Sequence, residues 1–258
     1  MSAGTFTPQP GAASLPRQVL AQTRMETKLI LRNGEQLLLA VVIPLIVLAG
    51  GIEAAKHFDL KFSHSAVDTL APGILALAIM STSFTSLAIT TGFERRYGVL
   101  KRLGSSPLPR SGLLAGKVGA LLLVEVIQVV ILGGAALLFG WAPTITVAGV
   151  CGALATALLG TAAFASLGLF VAGSLRAEAT LAAANLIYLL LMAGGGVVFP
   201  TSSYGTFGHV IALLPSGALG AGMRASLIDG AFPALQLLVL AVWAVIGTLL
   251  TARTFKWE

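Results

Sequence analysis

Glu125 and Gln128 stand one turn apart in the middle of a long apolar run, and they are the first residues here to which chemistry could be assigned. A carboxyl at that depth could take up a proton or meet a polar group on a passing molecule. Placing it there costs about 3 kcal/mol on insertion scales. The thirteen Leu, Ile, Val and Phe residues from Leu121 to Phe139 each return about 0.3–0.6 kcal/mol when central, so insertion still wins. A residue kept at that cost faces a cavity or a partner helix rather than lipid. Two readings stay open. Glu125, Gln128 and Asn185 line a translocation path, or Glu125 is a structural acid, kept protonated or paired with a hydroxyl or with Asn185.

Other reactive constellations are missing. His57 and His64 share the polar loop Glu53–Asp68, but two histidines on such a loop do not make a metal site. Cys151 has no partner cysteine. Neither G-x-S-x-G nor H-E-x-x-H occurs. Gly112-Leu-Leu-Ala-Gly116-Lys117-Val118 is one residue short of a phosphate-binding loop and lacks the Ser or Thr that would hold magnesium. No catalytic residue, metal or cofactor is therefore expected on this chain, and ATP is not expected to bind it.

The strongest signal is a polar interruption, Glu94 to Lys117, which carries Arg95, Arg96, Lys101, Arg102, Arg110 and Lys117 against the single acid Glu94. A loop this basic between apolar segments stays on the cytoplasmic side of a membrane. Read as one helix from Glu94 to Leu103, it puts Tyr97, Leu100 and Leu103 on one face with Arg95 and Arg102 opposite, and Ser105-Ser106-Pro107 ends it. A short amphipathic helix held between two spans has the form of a lever gripped by another protein.

The elements that must position these residues follow from composition. The chain is 56% hydrophobic and 10% charged, against about 25% charged for a soluble domain, which marks an all-α integral membrane protein. The net charge of +6 sits beside the spans, so it reads as topology and not as nucleic-acid binding. Residues 1–14 have the composition of a disordered tail. Residues 15–33 form an amphipathic interface helix, with Leu15, Val19, Leu20, Ile30 and Leu31 on one side. Arg17, Arg24, Lys28 and Arg32 lie on the other, towards anionic membrane lipid. Residues 34–258 hold six spans, at about 36–52, 69–92, 114–139, 145–173, 179–199 and 232–251. Pro44 is placed to kink the first. The fourth carries small residues at Gly149, Ala153, Ala157, Thr161 and Ala165, with Gly152, Thr156 and Gly160 beside them, a pattern for close helix packing. Residues 200–230 break into pieces too short to cross and are expected as short outer re-entrant or interfacial helices. With both termini inside, Arg17, Arg24, Lys28, Arg32, the six loop residues, Arg176, Arg253 and Lys256 are cytoplasmic. That is thirteen of the sixteen basic residues, leaving Lys56, Lys61 and Arg224 outside.

Taken together, Glu94-Arg95-Arg96-Tyr97-Gly98-Val99-Leu100, then Leu103 and Ser106-Pro107-Leu108, resemble the segment between spans two and three in type-2 ABC exporter permeases. That family includes daunorubicin-type drug efflux and polysaccharide export subunits. Arg96 stands where the family has an acid and Val99 where it has Thr. Gly116-Lys117, Gly196-Val-Val-Phe-Pro200, Pro215 followed by Arg224, and Arg253 to Glu258 fit the same pattern. The resemblance implies a permease dimer docked on two ATPase chains in the cell (inner or plasma) membrane, with ATP and magnesium held by the partner. It also implies that Glu94, Arg95, Tyr97, Gly98, Leu100, Leu103 and Pro107 form the ATPase-coupling helix, and that the cargo is amphiphilic, lipid-, drug- or glycan-like. Two alternatives remain at this stage, an ATP-independent membrane scaffold or assembly factor, and an ion-coupled carrier using Glu125.

Overall fold

A backbone wrapped in apolar side chains for about 20 residues has only its own carbonyls to bond, so each hydrophobic run closes into a helix. The computed structural model describes residues 13–58, 63–103 and 108–255. Residues 1–12 of the expected tail, Lys61, Pro107, Lys256 and Trp257 lie outside these, as do the side chains of Gln36 and Arg110. The described residues contain helices and no strand. In order they are α1 (Leu15–Arg32), α2 (Gly34–His57) and α3 (Ala66–Met80), the last joined by a π-turn (Ser81–Ser86) to α4 (Leu87–Arg96). Then come α5 (Val99–Leu103), α6 (Arg110–Leu138), α7 (Val147–Ser174) and α8 (Ala177–Gly194). A 3-10 turn (Thr201–Phe207), α9 (Gly208–Ala212), α10 (Pro215–Leu227) and α11 (Ala234–Thr254) complete the chain.

Among the described residues six segments are long and apolar enough to cross a membrane: Ala40–His57, Ala66–Arg96, Ser111–Leu138, Val147–Ser174, Ala177–Gly194 and Ala234–Thr254. Their ends differ from the expected ones by a few residues, with two informative exceptions. The second span continues through α3, the π-turn and α4 as far as Arg96. The fifth stops at Gly194, and the backbone from Gly195 to Pro200 is not helical although Gly195, Gly196, Val197 and Val198 are buried. Pro44 lies inside an unbroken α2.

α7 is the central post, packed against α11, α10, α4 and the π-turn. Its small residues allow this. Added methyl groups would meet the Ser226 carbonyl at Gly149, Pro233 at Gly152 and Leu219 at Gly160. Gly152, Thr156 and Gly160 are buried, whereas Ala153 and Ala157 of the neighbouring stripe are only partly covered. The start of α7 is fixed locally. Thr146 Oγ1 accepts from the Gly149 N–H at 2.9 Å and donates to the Gly230 carbonyl at 2.6 Å. Between the last two spans, α9 and α10 bend back by 117°. The bent pair is packed into the bundle, with α10 buried between α7, α3 and α11.

Candidate functional site

The single helix expected over Glu94–Leu103 does not form. α4 ends at Arg96, Gly98 takes φ +67°, and α5 restarts for five residues. Only glycine enters that left-handed region without a steric penalty, and the space around Gly98 is otherwise open, so the turn is set by its backbone. The break dissolves the expected Tyr97/Leu100/Leu103 face. Tyr97 is 64% exposed and stacks on Phe93, while Leu100 is 2% exposed and points into the protein. Leu103 is half-buried. What faces outward is Tyr97, Val99, Lys101 and Arg102.

The residues flanking this turn hold it to the bundle. Lys117, on α6 and 4% exposed, places Nζ 2.8 and 2.7 Å from the two carboxylate oxygens of Glu94 and 3.0 Å from Glu26 Oε1 on α1. Gln22 Nε2 donates to the same Glu26 oxygen at 2.8 Å. Three elements thus meet at one buried ammonium. On the other side, Arg95 Nη1 donates to the Gly173 carbonyl at 2.5 Å and Nη2 to that of Leu175, satisfying carbonyls that the end of α7 leaves open. Arg96 pairs with Glu178 in the first turn of α8. The segment Glu94–Arg96 is therefore bonded to α6, α7 and α8 within three residues, and through Lys117 it is linked to α1.

The interface helix meets the bundle through its polar side. Gln22, Thr23 and Glu26 are buried against Gly116 and Gly119 of α6, where an added methyl would collide with Gln22 and Thr23. Leu15, Leu20, Met25, Leu29 and Leu31 are exposed, and so are Arg17, Arg24, Lys28 and Arg32. The helical pattern of leucines and arginines locates that outer surface. The buried one carried a fainter signal, since Glu26 is the single acid of the helix and has Gln22 one turn before it.

A cleft of about 470 Å³ opens between α2, the second span and α8. Asn33, Ser81, Thr85, Ser86, Thr90, Asn185 and Tyr188 supply its polar lining, and Ala40, Ile43, Ile89, Phe93 and Leu181 the rest. Ser81, Thr85 and Ser86 of this lining belong to the π-turn. Of the three residues expected on a path, Asn185 alone is in this lining. Gln128 accepts from Thr82 Oγ1 at 2.9 Å and donates to the Ala40 carbonyl at 3.0 Å, and so joins α6 to the π-turn and α2 behind the cleft wall. Glu125 faces α7, where Thr161 Oγ1 lies 2.7 Å from its Oε2. The hydroxyl pairing is the arrangement found.

The ABC-2 type transporter family matches residues 12–228 of this sequence. The chain belongs to that family. No individually curated protein matches it. As an ABC-2 transporter membrane domain it is a multi-pass permease of a family that works with an ABC ATPase. Within this permease, Glu94, Arg95, Gly98 and Leu100 build and brace the turn between spans two and three, and Tyr97 stands on its exposed side. Arg224, counted among the outer basic residues by charge alone, is buried in α10.

Proposed function

We propose that this chain is the transmembrane subunit of an ATP-driven exporter, with the basic turn and both termini in the cytoplasm of the cell membrane. A separate ATPase holds ATP and Mg²⁺ and docks on the turn. The observation that carries this reading is the contrast within one short segment: Tyr97, Val99, Lys101 and Arg102 face outward, while the three residues before them are bonded to three other helices and, through Lys117, linked to a fourth. Such a segment passes on a displacement without absorbing it. When ATP closes the nucleotide-binding subunits, the Glu94–Lys117–Glu26 bonds take the motion to α6 and α1, and Arg95 and Arg96 take it to α7 and α8. The cleft lies on the spans so moved. A second permease copy covers its open flank along α2 and α8 and completes the path. With hydroxyls, amides and apolar groups in its lining, the cleft suits an amphiphilic or uncharged cargo.

The test is isolation of the tagged permease from its native membrane, where an ATP-hydrolysing chain is expected to come with it. Tyr97→Ala combined with Lys101→Glu is expected to reduce that retention at least about tenfold while leaving insertion unchanged. Isolation without any ATPase, or full retention by the double variant, rules the docking out. The carrier reading has less support, since Glu125 is turned away from the cleft. Glu125→Gln keeps an acceptor for Thr161 and is expected to change transport by no more than a few-fold, whereas a proton-coupled carrier would lose it.

A further inference from the structure

Past Gly194 the chain runs without helix through Gly195, Gly196, Val197 and Val198, all buried. Carbonyls at that depth need donors that neither lipid nor their own segment can supply. Arg224 of α10, 7% exposed, brings them. Its Nη2 donates to the Val197 carbonyl at 2.8 Å and to that of Val198, its Nη1 to Gly196 at 3.3 Å, and its Nε to Thr69 of α3 at 3.2 Å. Two glycines clear the space. A methyl at Gly73 would lie 2.5 Å from Nη2 and 2.7 Å from the Val197 and Val198 carbonyls. One at Gly220 would lie 2.8 Å from the Gly196 and Val197 carbonyls and 3.0 Å from Nη1. Among the described residues no carboxylate pairs with this guanidinium. Carbonyl dipoles drawn from two other segments compensate it.

We propose that Arg224 is the positioning residue that holds the far end of the cleft shut. A cation compensated by dipoles on separate segments keeps that compensation only while the start of the second span, the end of the fifth and α10 stay together. Parting any one strands a bare cation and bare carbonyls in apolar surroundings, so the three separate together or not at all. Two of them, α3 and α8, continue directly into the walls of the cleft, and Ser216 Oγ reinforces the junction by donating to the Gly195 carbonyl at 2.8 Å. The inference rests on the reading of that cleft as the cytoplasmic part of the path, with Arg224 at its outer end.

The test is a thiol-accessibility measurement on the full chain, with Cys151→Ala removing the native thiol and Asn185→Cys, exposed in the cleft lining, as reporter. A membrane-impermeant maleimide is applied to right-side-out or inside-out vesicles. With Arg224 in place the reporter reacts from the cytoplasmic side and is shielded from outside. Arg224→Met is expected to raise the outside rate about tenfold or more, and Arg224→Lys, which keeps the charge but not the fork, to fall between. Gly220→Ala, which crowds the guanidinium without removing it, is expected to raise the outside rate in the same direction and serves if Arg224→Met fails to insert. An outside rate unchanged in the inserted variants overturns the proposal. Loss of Gly220→Ala as well as Arg224→Met from the membrane also overturns it, because the residue would then serve folding and not closure. A reporter closed to the cytoplasmic side in the parent would instead refute the reading of the cleft on which the proposal rests, a result distinct from an unchanged outside rate.

Discussion

Lys117→Met is expected to destabilise the permease by about 3–5 kcal/mol, the cost of leaving buried carboxylates without their cation. Glu26 and Glu94 both close on that one ammonium, and nothing apolar at position 117 can replace it. Two like charges would then face each other where Lys117 had joined them, with Gln22 the remaining donor to Glu26. In detergent the variant should unfold on the order of 10 °C lower than the parent. The diagnostic is rescue. Glu26→Gln and Glu94→Gln added to Lys117→Met remove all three charges and should restore most of the loss, because an uncharged junction carries no desolvation debt. A triple variant as unstable as the single one would show that the ion cluster is incidental to packing. Unchanged stability in the single variant would show that it is not formed.

The second large effect concerns Leu100. The sequence pattern puts it on a docking face, where Leu100→Asp would weaken a contact with the partner. The structure buries it under the turn. The substitution then removes about 1.5–3 kcal/mol of apolar burial and adds the larger cost of an unpaired buried carboxylate. α5 has only five residues and cannot hold such a group inside, so the turn should come away from the bundle. Export is expected to fall below about a hundredth of the parent's, a loss matched to a few kcal/mol in the docked state. Leu100→Met, with nearly the same volume, should retain most of it. Near-normal export by Leu100→Asp would mean that the turn's seating does not matter for transport.

The two variants separate what can be read along a chain from what cannot. The apolar runs, the unequal distribution of basic residues and the broken stretch after Pro200 show six membrane helices and short pieces before the last, but not that the fifth helix stops at Gly194. Gly98 shows less than it should. Inside Glu94–Leu103 a period of three to four suggests one helix, and a single glycine within such a pattern is tolerated often enough that it does not announce a left-handed turn. The π-turn at Ser81–Ser86 leaves no periodic trace either, and Ser81, Thr85 and Ser86 within it line the cleft. Asn185 falls there too, and Glu125 does not.

Local sequence determined the helices because hydrogen bonding in an apolar medium is settled within each segment, between a residue and its fourth neighbour. Tertiary structure decided the destination of the charges. Lys117 meets Glu26 across 91 positions and Arg224 meets Thr69 across 155, and no spacing rule connects residues so far apart. Whether a cation faces water, a carboxylate or a ring of carbonyls depends on which helices pack beside it. That is a property of the bundle and not of any stretch of its sequence.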